Sequence, residues 1–336
     1  MAIDTNRTTT VKLPPSVSSE ILQKTQKNSV VMGMARQVPL PGTGAAIPVI
    51  LDDPEAEYVG ETDEKPVSKA STTIKMLQPY KLSVIELFSD EFRRDAASLY
   101  DALVLRLPNA LSRKFDASVL TEGVKPDMSN FDALVARNKY STDALIGSNP
   151  IGIHDMSGKF TADKGIESAK GLYDALVNAK TVIAQAGNAM SGIIFTPTGE
   201  TELLRATDTT GRPLFTSSMA EGVVPRILSV PALTAAAGHS SPDLAFGVHT
   251  GENTGYNFLS EIIAVAGDWT QAVYGVVDGV NIGVTDQATI NYNGQQINLW
   301  QRGMFAVKAE IEVGFRCMYD AFNMIVNISD SAKIGA

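Results

Sequence analysis

The chain is short of the residues that chemistry most often needs. One cysteine, Cys317, stands in 336 residues, so no internal disulfide can form. It falls in a stretch that reads as a core strand, which makes it a buried, inert thiol. The three histidines, His154, His239 and His249, share no metal-ligand spacing with one another or with Cys317. His239-Ser240-Ser241 and a distant Asp would be the material of a triad, but the local context is a polar loop, and the stretch reads as an ordinary surface loop. No run of about 18 apolar residues occurs, which excludes a helical membrane span. The stretch Met1–Arg7 lacks the apolar core of a secretory signal. A Gly-x-Ser-x-Gly elbow is missing, and so is a phosphate loop ending in Gly-Lys-Ser/Thr. Gly42-Thr43-Gly44 is followed by Ala45-Ala46-Ile47-Pro48, which opens no helix, so it reads as a turn. Basic residues are outnumbered 28 to 37 by acids, for a net charge of −9. That balance argues against a reader of nucleic-acid sequence, which needs clustered Lys and Arg.

What is present is ordinary globular material, 44% hydrophobic and 19% charged, enough for roughly two domains of about 150 residues. Against it stands a charged excursion: Asp52, Asp53, Glu55, Glu57, Glu61, Asp63 and Glu64, then Lys65 and Lys69, with Lys75 and Lys81 following. The alternating acids, central Gly and closing Glu of a calcium loop are absent from it. Such a segment has almost nothing to bury against its own body. It suits a chain that lies across its neighbours, where these charges set register by meeting a patch on another copy.

Extended segments bracket the excursion. Val30–Val38 and Ile47–Leu51 read as extended. From Ile74 to Val84 the even positions are mostly apolar, which predicts a half-buried strand bent or at an edge at Pro79. Residues 50–80 are expected to form a long projecting hairpin. Ser16–Lys27 carries a weak helical face. Ser89-Asp90-Glu91 predicts a capped helix start. Phe92, Ala96, Leu99, Leu103, Leu107, Leu111, Phe115 and Val119 then form one apolar stripe, kinked near 104–108 by Pro108. Further on, 165–186 reads as a helix through Ile166, Leu172, Tyr173, Leu176 and Val177, Ser191–Phe195 as a strand, and Thr196-Pro197 as another helix start. Asp208–Gly211 is a predicted turn, Arg226–Val230 a strand and Ala237–Gly255 a loop; Glu261–Ala266 and Tyr274–Val284 are strand candidates. The clearest alternation comes last: Phe305, Val307, Ala309, Ile311, Val313, Phe315 and Cys317 face one way, Lys308, Glu310, Glu312 and Arg316 the other. Helices alternating with strands through the middle of the chain imply a mixed α/β domain there, within a chain whose overall class is expected to be α+β.

Four passages in order resemble the major capsid proteins of tailed bacteriophages, the Hong Kong 97-type fold. They are Leu13–Val31 (LPPSVSSEILQKTQKNSVV), Ile47–Gly123 with PYKLSVIELFSDEFRRDAASLYDALVLRLPNALSRKFDASVLTEG, Ile194–Phe215 (IFTPTGETELLRATDTTGRPLF), and Gly267–Asp320 with VYGVVDGVNIGV and MFAVKAEIEVGFRCMYDAF. The resemblance implies an N-arm over 1–30 and an extended loop over 48–83. It implies a peripheral domain over 31–47, 84–144 and 286–336, with a spine helix at about 90–122 and a closing strand at about 304–317. An axial domain would occupy 145–285. It also implies a non-enzymatic shell protein without a cofactor, built from pentamers and hexamers into an icosahedral virion head assembled in the host cytoplasm. Such a head encloses double-stranded DNA without reading its sequence, and a net acidic chain is compatible with a wall that does not grip its contents. Portal and cement proteins are expected partners. An encapsulin-like nanocompartment shell is the alternative within the same fold. About a dozen residues precede the match where many relatives carry a cleaved scaffolding segment, so a separate scaffolding protein, or none, is expected. Lys65 or Lys69 and Glu310 could stand in for a crosslinking set, but Arg302-Gly303 occupy the place of the required Asn, so no covalent crosslink is expected.

Overall fold

The computed structural model describes residues 15–50, 58–59, 72–91, 96–120, 130–134, 152–156, 166–169, 171–206, 226–235, 248–253, 256–277, 279–292 and 294–333. Two helices open it, α1 (Pro15–Asn28) and α2 (Val30–Met34). The extended reading of Val30–Val38 is therefore corrected. Ser29 has extended backbone and its hydroxyl accepts from the Met32 amide, an N-cap that starts a helix in an otherwise strand-prone run. The extended part is only β1 (Arg36–Pro39).

β2 (Ala45–Ile50) and β3 (Thr72–Leu77) pair antiparallel from Ala45↔Leu77 to Ile50↔Thr72, a two-stranded stem. β4 (Tyr80–Ser89) follows after Gln78-Pro79. The single strand expected over Ile74–Val84 is thus two strands in different sheets, because Pro79 has no amide to donate and breaks the ladder. The inward side also changes there. Before the break Leu77 points in and Ile74 and Met76 point out; after it Tyr80, Leu82 and Val84 face the core.

The long helix α3 spans Ala96–Leu120, about 37 Å at 1.5 Å per residue. It starts later than the expected Ser89, which instead ends β4; residues 92–95 lie outside the described residues. The helix runs continuously through Pro108. Leu107, Leu111, Phe115 and Val119 of its stripe are buried. The strand expected last is β16 (Met304–Cys317), and every apolar residue named for its inward face is buried. β4 pairs along one edge of β16; β13 (Asn281–Thr285) and β12 (Ala272–Val276) share the other in series. β1 extends this sheet parallel to β12. A separate hairpin joins β14 (Thr289–Tyr292) to β15 (Gln295–Asn298).

A second sheet holds the long strands β11 (Tyr256–Gly267) and β17 (Phe322–Lys333) at its centre. β5 (Gly152–Asp155) and β6 (Ile166–Ser168) lie beyond β17. On the other side come β7 (Gly192–Phe195), β9 (Val230–Thr234) and β8 (Arg226–Ile227), while β10 (Val248–Asn253) also pairs with β11. α4 (Leu172–Gln185) and α5 (Pro197–Arg205) cover one face.

Three expectations are corrected here. The helix read over 165–186 begins only at Leu172, because Gly171 takes φ 100 and turns the chain out of β6; its inward face is Leu172, Ala175, Leu176, Ala179 and Ile183, not Tyr173 and Val177. Arg226–Val230 is a tight hairpin, with Leu228 and Ser229 at positive φ between β8 and β9. The polar run Val248–Asn253 forms a strand against β11, although it has little apolar alternation to announce it. The turn at Asp208–Gly211 lies outside the described residues.

Both faces of the second sheet are buried. On β7, Ile193 and Phe195 enter the cluster under α4 and α5, while Ile194 enters the cluster around α3 and β16. On β17, Ile325 faces α4 and α5, whereas Met324 and Val326 face the other way. A register shift between Ile262 and Ala264 lets β11 serve both clusters. The carbonyl of Ile263 at this bulge accepts from both the amide and the hydroxyl of Thr196, whose hydroxyl also accepts from the Gly199 amide. The bulge and the N-cap of α5 are one device.

Candidate assembly surface

Asp52, Asp53, Glu55, Glu57, Glu61, Asp63, Glu64, Lys65 and Lys69 all lie outside the described residues. The stem that carries them is described, and so is its attachment. Gly275 of β12 and Gly314 of β16 are register partners. A Cβ on Gly275 would stand 2.7 Å from Leu40 and 3.1 Å from Leu77; one on Gly314 would stand 2.6 Å from the Gln78 carbonyl. The paired glycines leave a notch in the sheet, and the foot of the stem sits in it with Leu77 fully buried. Two strand positions without side chains are needed for this approach.

A polar network locks the same foot. The Arg316 guanidinium donates from Nε to the Met76 carbonyl (2.7 Å), from Nη1 to Asp132 Oδ1 (2.8 Å) and from Nη2 to Asn130 Oδ1 (2.9 Å). Asp132 also accepts from the Cys317 amide (3.1 Å) and the Tyr319 hydroxyl (3.0 Å). Lys75 Nζ donates to the Cys317 carbonyl (2.8 Å), stands 3.8 Å from Asp132 Oδ2 and lies 5.5 Å from the centre of the Tyr319 ring. Asn130 donates to Gln78 Oε1 (2.8 Å), and its amide to the Tyr80 hydroxyl (3.2 Å). One buried carboxylate thus joins the segment after α3, the end of β16 and the root of the stem. The cost of enclosing this side chain is offset because its acceptor positions are filled. Beyond the root, Ile74 is 67% and Met76 43% exposed, and Tyr58 is fully exposed.

The alternation placed Arg316 and Lys75 on solvent-facing sides, so their role here went unread; their partners are distant in sequence and leave no local pattern. Lys81 pairs with Glu312 at 3.5 Å and Glu310 with Lys308 at 3.0 Å, all on the outer face of β4 and β16. Cys317 is buried, as read from the alternation. His154 is buried on β5 and His249 lies on β10; His239 lies outside the described residues.

A second junction ties the amino-terminal helices to α3. Asp116 is buried in α3, where its carboxylate accepts from the Ser29 hydroxyl and from the amides of Val30 (3.1 Å) and Val31 (3.4 Å) at the start of α2. Burial pushes its pKa from 3.8 up to about 7, against the lowering effect of those hydrogen bonds.

The phage capsid family profile matches residues 9–326. "Probable major capsid protein gp17" of Mycobacterium phage L5 is 28% identical over 328 residues, covering 94% of this chain and 89% of that protein. Among solved structures, a chain from Gordonia phage Cozz superposes with a TM-score of 0.56 at 22% identity, covering 92% of this chain and 87% of its own. A chain of the capsid of an empty GTA particle computed with C5 symmetry gives a TM-score of 0.59 at 15% identity, covering 89% and 90%. The fold is that of these capsid chains, and with a profile match spanning nearly its whole length the protein belongs to the phage capsid family.

Proposed function

We propose that this chain is a major capsid protein of the Hong Kong 97 type, whose copies close into pentamers and hexamers and build an icosahedral head around double-stranded DNA. The observation that carries this reading is the family match over residues 9–326. The stem supports it physically. A two-stranded hairpin is marginal in water, yet here it is rooted in a glycine notch and presents Ile74 and Met76 to solvent. Those side chains gain burial only against another molecule, and a sister copy supplies it. In this reading α1 belongs to the N-arm, α3 is the spine helix and β16 the closing strand of a peripheral domain. Residues 145–285 form the axial domain, and the charged residues from Asp52 to Lys69 lie at the tip that overlaps a neighbour. Contacts made head to tail close into rings when the rotation fits, and many weak contacts engaged together give a stable shell. A scaffolding protein, portal and cement proteins complete the assembly in the host cytoplasm. Shell contacts stay non-covalent, so denaturing electrophoresis gives a single monomer band; a ladder would show crosslinking.

Negative-stain microscopy of the expressed full chain tests the reading. Closed shells of uniform diameter, holding nucleic acid when recovered from infected cells, are expected. Persistent monomers or small oligomers at all concentrations would overturn it.

A further inference from the structure

α1 and α3 lie side by side, joined on their outer side by Asn28 Nδ2 donating to Asn109 Oδ1 at 2.7 Å. Helical spacing places cations around that bridge. Lys24 lies one turn before Asn28 on α1, with Lys27 beside it; Arg106 and Arg113 lie one turn either side of Asn109 on α3, with Lys114 next to Arg113. Lys27 and Lys114 are exposed and Arg113 half-buried, and none of these three pairs with a carboxylate among the described residues. Arg106 meets Glu86 at 2.9 Å, and Asp116 on the same helix is turned inward onto Ser29 and α2. Lys27, Arg106, Arg113 and Lys114 thus share a ridge with one outward carboxylate, Glu86, among the described side chains, on a molecule whose net charge is −9.

We infer that this α1–α3 ridge is the face that meets the phosphate backbone of enclosed DNA, an inference that rests on the shell reading above. The molecule as a whole repels a polyanion, so attraction must be local and weak, and this patch can supply it. Two asparagine amides between the cations add hydrogen-bond donors of the kind that position phosphates without reading bases. Such a face holds DNA against the wall without fixing its path. Phosphate rather than a sequence is the ligand, since no base-reading element projects from the ridge among the described residues.

The test uses the full-length chain kept below its assembly concentration and a random-sequence duplex of about 30 base pairs, with affinity followed by fluorescence polarisation against salt. Each phosphate contact should contribute about 0.9 to the log–log salt slope, or roughly a 3.5-fold loss of affinity between 50 and 200 mM salt. The variant Lys27→Gln/Arg113→Gln/Lys114→Gln is expected to lower the slope by up to about 2.7, while Lys27→Arg/Lys114→Arg retains it. A control of equal charge loss elsewhere, Lys180→Gln/Arg205→Gln/Arg226→Gln, is expected to bind as the parent does. Equal binding by parent and ridge variant, equal weakening in the control, or no binding by the parent overturns the inference. So does binding of poly-glutamate in preference to the duplex, which would assign the ridge to an acidic polypeptide. Microscopy of the same proteins, concentrated separately until the parent assembles or reaches its solubility limit, separates the two readings: shells that form from a ridge variant lacking DNA affinity leave the shell function standing, and a parent that binds DNA but never forms shells sinks the shell function alone.

Discussion

From β16, Arg316 divides its guanidinium among three acceptors in two parts of the chain: Met76 in the stem, and Asn130 and Asp132 after α3. Removing it leaves Asp132 buried with its strongest partner gone, and breaking an enclosed pair from one side costs about 3 kcal/mol or more. Arg316→Met is therefore expected to lower the urea midpoint of the subunit sharply. Arg316→Lys recovers little, since an ammonium cannot reach three acceptors in a fork; equal midpoints for Arg316→Lys and the parent would contradict the clamp. Asp116 predicts a pH dependence of definite sign. In the folded chain it holds its proton up to about pH 7; in the unfolded chain it releases it near 3.8. Its contribution is fully present below about pH 4 and is lost as the pH rises to about 7, with a slope of up to about 1.4 kcal/mol per unit. Asp116→Asn keeps one acceptor oxygen, for Val30 or for Val31 but not both, and cannot ionise. Denaturation series across pH 4–8 should show that slope in the parent and its loss in the variant.

At the scale of elements, the stem separates folding from assembly. Ile50 and Thr72 are register partners, so an Asn-Gly turn can replace residues 51–71 and close the hairpin directly. That variant is expected to keep the parent's far-UV spectrum and melting temperature but to form no shells; shells of parental size would remove the stem from the mechanism. Elements were legible in the sequence where period and burial agree. β16 is the clearest case, since its apolar residues alternate over its length and one face is buried throughout. Where they disagree, legibility failed. Leu172 and Leu176 are inward on α4 as read, but Ala175 and Ala179 are inward too, and small residues scarcely mark a face, so the larger Tyr173 and Val177 stand in their place in the sequence reading. The turn at Leu228-Ser229 carries none of the Gly or Asn that usually signals positive φ. Gln78-Pro79 was visible as an interruption; that it also exchanges the inward side was not, because the notch receiving Leu77 is built by Gly275 and Gly314, far along the chain.

For the whole molecule, the clamp at the root of the stem was not legible, since Lys75, Asn130, Asp132 and Arg316 become neighbours only after folding. The sheet built on β11, β7 and β17 separates two apolar clusters and belongs to both. Neither cluster can open without exposing one side of the same strands, so calorimetry of the isolated subunit is expected to give one transition with equal calorimetric and van't Hoff enthalpies; two resolved transitions would show that the clusters melt apart. The same construction has a mechanical corollary. A body whose two halves hang on a common wall has no crease along which to fold, so whatever change of curvature a closed surface demands of its tiles must be taken up at their edges and in the stem, while each tile keeps its shape.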